Sequence, residues 1–92
     1  MEDEQIRRRV TVHGRVQGVF FRDSVRQRAH SRNVSGWVTN RTDGAVEAVL
    51  EGNPDDVQSV VRFMETGPRQ AEVETVDVRE EVPEGLASFE IR

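Results

Sequence analysis

The sequence predicts an α+β fold in which two helices pack on one face of an antiparallel sheet. Three observations predict it. Apolar and polar residues alternate in several short stretches, two further stretches carry apolar residues at helical spacing, and an Asp-Gly step joins the middle pair of alternating stretches. The resulting order is β-α-β-β-α-β followed by a short C-terminal strand, which is typical of the ferredoxin-like sandwich.

The first half of the chain is predicted to form a strand, a helix and a hairpin. Val10 and Val12 alternate with polar residues in the strand. Phe21, Val25 and Ala29 recur at i, i+4 and i+8, which gives the helix a narrow apolar stripe. The predicted bounds are 6–13 for the strand, 21 or 22 to about 33 for the helix, with Asn33 as a left-handed stop, and 34–39 and 45–51 for the hairpin strands, which are joined by the Asp-Gly turn.

A second helix is the clearest element of the second half. Asn53 is a favourable N-cap, Pro54 fits the first helical position, and Gly67 is expected to end the helix. The apolar residues between them follow helical spacing: Val57, Val60, Val61 and Met64.

Two more strands complete the predicted sheet. The apolar phase changes between Val73 and Val76, so the fourth strand, over 71–80, is expected to contain a bulge or bend there. Ala87, Phe89 and Ile91 alternate in a short final strand whose apolar side faces the core.

The length and composition restrict the function classes. A chain of 92 residues is predicted to form a single domain, residues 1–92, with one core. The sequence has no cysteine, which excludes disulfides and thiolate zinc sites, and its two histidines, His13 and His30, are too few for a histidine-rich metal centre. We therefore expect neither a metal nor a cofactor.

The charge and hydropathy patterns point to a small-molecule partner. The formal net charge is −4 and the thirteen basic residues are all arginine, a balance that argues against a general nucleic-acid binder. No apolar run approaches the ~20 residues of a membrane span, and the N-terminus, residues 1–4, is acidic where a secretory signal would be basic. The sequence thus predicts a cytoplasmic protein, without nucleic-acid or membrane partners, that is expected to be a monomer. The Arg7 to Arg9 run is interpreted as a solvated strand end.

The segment 14–22, GRVQGVFFR, is the strongest candidate for a functional site. Gly14 and Gly18 allow the chain to bend so that successive N–H groups point inward, and Arg22 follows where the first helix is predicted to begin. Amides, a helix N-terminus and a guanidinium all favour an oxyanion such as phosphate. From spacing alone, an ordinary strand-to-helix connection with a surface arginine explains the segment equally well. The common nucleotide-binding glycine motifs are absent.

A second segment decides between these interpretations. Residues 36–47, GWVTNRTDGAVE, together with residues 14–22 closely resemble the two signature regions of the acylphosphatase family, and the resemblance covers nearly the whole chain. It implies hydrolysis of acyl phosphates to a carboxylate and inorganic phosphate. Matched position by position, it implies that Arg22 binds the phosphoryl oxygens and that Asn40 positions the attacking water. It also implies a phosphate-binding loop formed by Arg15, Val16, Gln17, Gly18, Val19 and Phe20.

Two other functions remain open at this point. A ferredoxin-like fold also serves as a non-catalytic module for RNA or a metabolite, although Trp37 and Phe89 are the only strand aromatics here, fewer than RNA-reading sheets usually present. Similar units also occur in larger carbamoyl-phosphate-handling assemblies. Without the family resemblance, Asn40 would be assigned to the hairpin turn, where asparagine is common.

Overall fold

The computed structural model describes residues 4–92, and residues 1–3 of the acidic N-terminus lie outside that range. Seven elements follow one another in the predicted order. They are β1 (Ile6–Arg15), α1 (Phe21–Ser31), β2 (Ser35–Asn40), β3 (Val46–Gly52), α2 (Pro54–Thr66), β4 (Glu72–Glu81) and β5 (Phe89–Ile91).

The sheet is mixed, which corrects the prediction of an antiparallel sheet. Its strand order is β4-β1-β3-β2-β5, and β1, β2, β3 and β4 pair antiparallel. The short β5 runs parallel to β2, with Phe89 opposite Gly36. The direction follows from topology. Both β1 and β2 are antiparallel to β3, so a chain that reverses after β4 returns parallel to β2.

Both helices pack on one face of this sheet and enclose the single core. Val10 and Val12 of β1 and Val38 of β2 are fully buried beneath the helices. The apolar stripe of α1 and that of α2 meet them, with Phe21, Val25, Ala29, Val57, Val60 and Met64 all buried. The ferredoxin-like sandwich with its hydrophobic face inward is therefore confirmed.

The local signals at the helix ends behave as predicted. The Asn53 side chain accepts a hydrogen bond of 3.0 Å from the Asp55 N–H, and Pro54 begins α2. Gly67 ends that helix with φ 76° and donates its N–H to the Phe63 carbonyl. Helix α1 ends two residues earlier than expected, at Ser31, and Asn33 has φ 57°, the left-handed conformation predicted for it.

A bulge lies where the apolar phase of β4 changes. His13 of β1 faces Thr75, whereas the next residue, Gly14, faces Val73, so that Glu74 is the extra residue. Gly14 has φ 134°, and a Cβ there would lie 2.2 Å from the Glu72 carbonyl oxygen. Only glycine fits this close backbone approach, which extends β1 two residues beyond its predicted end and leads directly into the glycine loop.

The opposite face of the sheet carries an ion-pair cluster formed by Arg7, Arg9, Glu47, Glu51 and Glu81. Arg7, only 4% exposed, donates to Glu51 and Glu81 at 2.7 Å each. Arg9 donates to Glu81 at 2.7 Å and also pairs with Glu47. The interpretation of residues 7–9 as a solvated strand end is therefore wrong for Arg7 and Arg9, because strand pairing places acidic residues on both sides of them.

Glu51 also fixes the connection between β4 and β5. Its carboxylate accepts hydrogen bonds from the N–H groups of residues 84, 85 and 86, at 2.8, 3.1 and 3.0 Å. Burial alone would raise the pKa of Glu51, but these amides and the Arg7 guanidinium outweigh it and lower that pKa. The charged carboxylate thus holds the segment that carries the chain to the far edge of the sheet.

Candidate active site

The glycine loop between β1 and α1 leaves several backbone N–H groups without a backbone partner among the described residues. Gly18 has φ 74°, and Phe20, which precedes α1, is left-handed with φ 63°. The first hydrogen bond of the helix runs from the Ser24 N–H to the Phe20 carbonyl, at 3.1 Å. Among residues 4–92, the N–H groups of residues 17–20 make no backbone hydrogen bond outside regular elements. Unpaired amides beside a helix N-terminus form a natural site for an anion.

Arg22 lies in the first turn of α1, directly beyond this loop. Its side chain is half-buried, and within the part of the chain that the structure describes it forms no ion pair. The neighbouring positive end of the helix adds to its charge. A planar guanidinium without an internal carboxylate can bind two oxygens of an incoming anion at once.

Asn40 approaches the loop from the other side. It is the last residue of β2, where it faces Val46 across the hairpin, and it is half-buried. The hairpin turn itself begins after it, at residues 41–45, where the Arg41 N–H donates to the Ala45 carbonyl at 2.8 Å. Asn40 is therefore a strand residue, and the turn does not need its side chain.

The side chain of Gln17 links the glycine loop to this hairpin. Its amide nitrogen donates to the carbonyl of Arg41 at 2.8 Å and to that of Ala45 at 3.0 Å. These two bonds fix the distance between the loop and the strand end that carries Asn40. Sequence reasoning gave Gln17 only a place in the loop, and no local signal indicated what its side chain would contact.

A pocket of about 300 Å³ lies where the loop, α1 and β2 meet. Arg22 and Asn40 both line it, together with the predicted loop residues Val16, Gly18 and Phe20. Phe21, Asp23 and Ile91 complete its wall. The two residues predicted to be catalytic, 18 positions apart in sequence, therefore share one pocket in the fold.

Three predicted loop residues lie outside the pocket wall: Arg15, Gln17 and Val19. Arg15 ends β1, opposite Glu72, and its guanidinium points to the Gln70 carbonyl at 3.4 Å. Val19 is half-buried against the core. Arg15 and Gln17 donate to neighbouring carbonyls and Val19 packs on the core, whereas the other three loop residues line the pocket.

Asp23 and Ile91 are pocket residues that sequence reasoning did not include in the site. Asp23 lies in the first turn of α1, where the helix dipole favours an acidic side chain. Ile91 reaches the pocket because β5 pairs with β2 at the far edge of the sheet, with Ile91 opposite Val38. The alternation of the last strand indicated that Ile91 faces inward, but nothing local indicated which neighbour it would have.

Comparison with known proteins identifies the family of this chain. The acylphosphatase family model matches residues 8–91. The acylphosphatase of Rubrobacter xylanophilus is 56% identical over 85 residues, which cover 91% of this chain and 77% of the relative. The chain belongs to the acylphosphatase family. The expected family membership is thus confirmed over almost the whole described range.

Solved structures with this family's fold agree. The acylphosphatase of Coxiella burnetii superposes with a TM-score of 0.91 at 41% identity, covering 96% of this chain and 93% of that one. Full-length HypF, in a phosphate- and nucleotide-bound form, contains a region that matches with a TM-score of 0.93 at 26% identity. This acylphosphatase chain covers 12% of HypF, so the unit also occurs inside a much larger protein.

Two further observations concern residues 4–92 of this acylphosphatase. No helix there is long and apolar enough to cross a membrane. No group of three or more histidine, cysteine or acidic side chains is arranged there as a metal site.

Proposed function

We propose that this acylphosphatase hydrolyses acyl phosphates in the pocket between the glycine loop and β2. Arg22 and the loop amides bind the phosphoryl group, and Asn40 orients the attacking water. The observation that carries the proposal is the meeting in one pocket of an arginine without an ion pair among residues 4–92, a loop with free amides and a neutral amide side chain. Family membership supplies the reaction.

Phosphate binding follows from the charges around the loop. The substrate anion meets the Arg22 guanidinium and the amides of the loop 15–20, of which those of residues 17–20 make no backbone hydrogen bond outside regular elements among residues 4–92. Such donors gain strength as charge shifts onto the phosphoryl oxygens in the transition state, and they need no reorganisation. Gln17 contributes by holding this loop at a fixed distance from the strand end that carries Asn40.

Asn40 suits the role of positioning water. Its side-chain carbonyl accepts a hydrogen bond and its amide donates one, so it can orient a water molecule at any pH without changing charge. The side chain is no strong base. The proton of the attacking water is instead taken by the phosphate group of the substrate itself.

The reaction step then needs little help from acid catalysis. The water oxygen forms a bond to phosphorus in line with the acyl oxygen, the bond between phosphorus and that acyl oxygen breaks, and the acyl group leaves as a carboxylate. A carboxylate is a stable leaving group that requires no proton. Positioning and charge stabilisation by Arg22 and the amides therefore suffice, and we propose that the reaction proceeds without metal or cofactor.

The setting of the enzyme is part of the same proposal. We propose that residues 1–92 form one acylphosphatase-like domain that acts as a cytoplasmic monomer on a small-molecule acyl phosphate, without nucleic-acid or membrane partners. A net charge of −4 and the single core support this. Light scattering coupled to size exclusion tests the monomer, which a mass near twice 10.5 kDa would contradict.

Phosphate release from benzoyl phosphate in the presence of EDTA tests the function. We expect rapid release by the parent protein and a loss of about 10³-fold in Arg22→Ala, because a charged donor to the transition state is removed. Asn40→Ala is expected to lose turnover with an unchanged melting temperature. Arg26→Ala is the matched control, since Arg26 is an exposed arginine of the same helix outside the pocket.

The outcomes separate the parts of the proposal. Near-normal turnover in Arg22→Ala or Asn40→Ala contradicts the role of that residue. Loss of the parent's activity in EDTA contradicts the metal-free mechanism. No release by the parent at any salt concentration contradicts hydrolysis and favours the non-catalytic binding module.

A further inference from the structure

Phe20 combines two unusual properties. Its side chain is 71% exposed. Among the large apolar residues that are exposed in residues 4–92, it is the one aromatic residue. Its backbone is left-handed, with φ 63° and ψ 26°, a conformation that residues with bulky side chains rarely adopt. Strained residues of this kind concentrate at ligand-binding sites, where the strain serves to orient a group. The left-handed turn directs the chain into α1 while leaving the aromatic ring in solvent.

The exposed Phe20 lies at the candidate active site. Phe20 lines the same pocket as Arg22 and Asn40. Ile91, from β5, is a second apolar residue that lines this pocket, and Val16 is a third. The pocket therefore has a polar part, suited to the phosphoryl group, and an apolar part that the phosphoryl group does not need.

We propose that Phe20 and Ile91 form a platform for the acyl group, so that the enzyme favours acyl phosphates with an aromatic or extended apolar acyl group over acetyl phosphate. The inference rests on the proposed function and concerns the other end of the same substrate. An aromatic acyl group stacks on the Phe20 ring and is removed from water against Ile91, whereas an acetyl group is too small to cover the ring.

The test compares kcat/KM for benzoyl phosphate with kcat/KM for acetyl phosphate in four proteins. These are the parent, Phe20→Gly, Phe20→Asn and Phe20→Tyr. Glycine and asparagine both tolerate the left-handed backbone, so the two variants remove the ring without adding strain. Tyrosine keeps the aromatic face. Val82→Ala is the matched control, because Val82 is 83% exposed and lies outside the pocket.

We expect the ratio of the two kcat/KM values to fall at least fivefold in Phe20→Gly and in Phe20→Asn. The ratio is expected to persist in Phe20→Tyr and in the control. The ratio is the decisive quantity because changes at a loop residue also act on the rate with both substrates. A ratio that stays at the parent value in both ring-deleted variants overturns the platform while hydrolysis stands. A parent that hydrolyses neither substrate overturns the proposed function and this inference together.

Discussion

The arginines on the open face of the sheet and the arginine at the glycine loop differ in their partners. On the open face of the sheet, Arg7 and Arg9 are bound by Glu47, Glu51 and Glu81 in the ion-pair cluster. At the glycine loop, Arg22 has no carboxylate partner among the described residues. The same residue type therefore stabilises the sheet at one site and is available to a ligand at the other.

The difference indicates which property of an arginine makes it a candidate for anion binding. A guanidinium whose hydrogen bonds are already made has little left to offer an anion, because an incoming phosphate would have to displace a carboxylate. An unpaired guanidinium beside open amides has the opposite property. In residues 4–92 no buried side-chain nitrogen or oxygen lacks a hydrogen-bond partner, so unmet donors are confined to positions that solvent or a ligand can reach.

The largest effect on stability is expected at Glu51. Glu51→Ala leaves Arg7 buried with one partner fewer and releases the N–H groups of residues 84–86. We expect the free energy of unfolding to fall by about 3 kcal/mol, the lower end of the range for breaking a buried ion pair, because Glu81 still binds Arg7. Urea denaturation measures it.

Asp77→Ala on β4 is the matched control for that experiment. Asp77 pairs with Arg79 at 3.1 Å, but both side chains are more than half exposed. We expect a change below about 0.5 kcal/mol. Equal losses in the two variants would show that the ion-pair cluster stabilises no more than a surface pair does, and the contrast between the two groups of arginines would lose its energetic basis.

A smaller effect, on activity, is expected at Gln17. Gln17→Ala removes both hydrogen bonds to the hairpin and frees the loop from the strand end that carries Asn40. Each bond is worth about 1 kcal/mol, so we expect kcat/KM to fall by up to about 30-fold, with the change mainly in kcat because positioning is lost. Gln58→Ala, on the exposed side of α2, is the control. A Gln17 variant with parental kcat would show that the loop holds its geometry without this link.

The same comparison separates the features that the sequence predicted from those that it could not predict. The caps of α2, the left-handed Asn33 after α1 and the β4 bulge depend on neighbours within a few residues, so local patterns predicted them. The ion-pair cluster depends on strand register, which brings Arg7 beside Glu51 and Glu81, 44 and 74 positions away. The alternation of apolar and polar residues along β1 cannot show which charged residues of the neighbouring strands will lie beside Arg7.

The site divides in the same way. Arg22 and Asn40 belong to ordered motifs, and the fold brings them to one pocket. Ile91 was missed because its place depends on β5 crossing to the edge beside β2, and the antiparallel prediction for that strand was wrong for the same reason. The lack of a carboxylate partner for Arg22 among residues 4–92 has no sequence signal, since it depends on every residue that the fold places around it.

The smallest expected effect concerns how the ion-pair cluster changes stability with pH. Hydrogen bonds from Arg9 and then Arg7 lower the pKa of Glu81 from 4.5 to about 2. A carboxylate whose pKa is lower in the folded state stabilises the protein fully above pH 4.5, and this contribution is lost as the pH falls towards 2. We therefore expect Glu81→Gln to unfold at lower urea concentration than the parent at pH 7, and the gap between them to close between pH 4.5 and 2. Glu80→Gln is the control. Glu80 precedes Glu81 on β4, is exposed, and comes no closer than 3.8 Å to Arg8. A gap that persists undiminished at the acid end would show that Glu81 contributes through packing, and that paired charge is not what distinguishes Arg7 and Arg9 from Arg22.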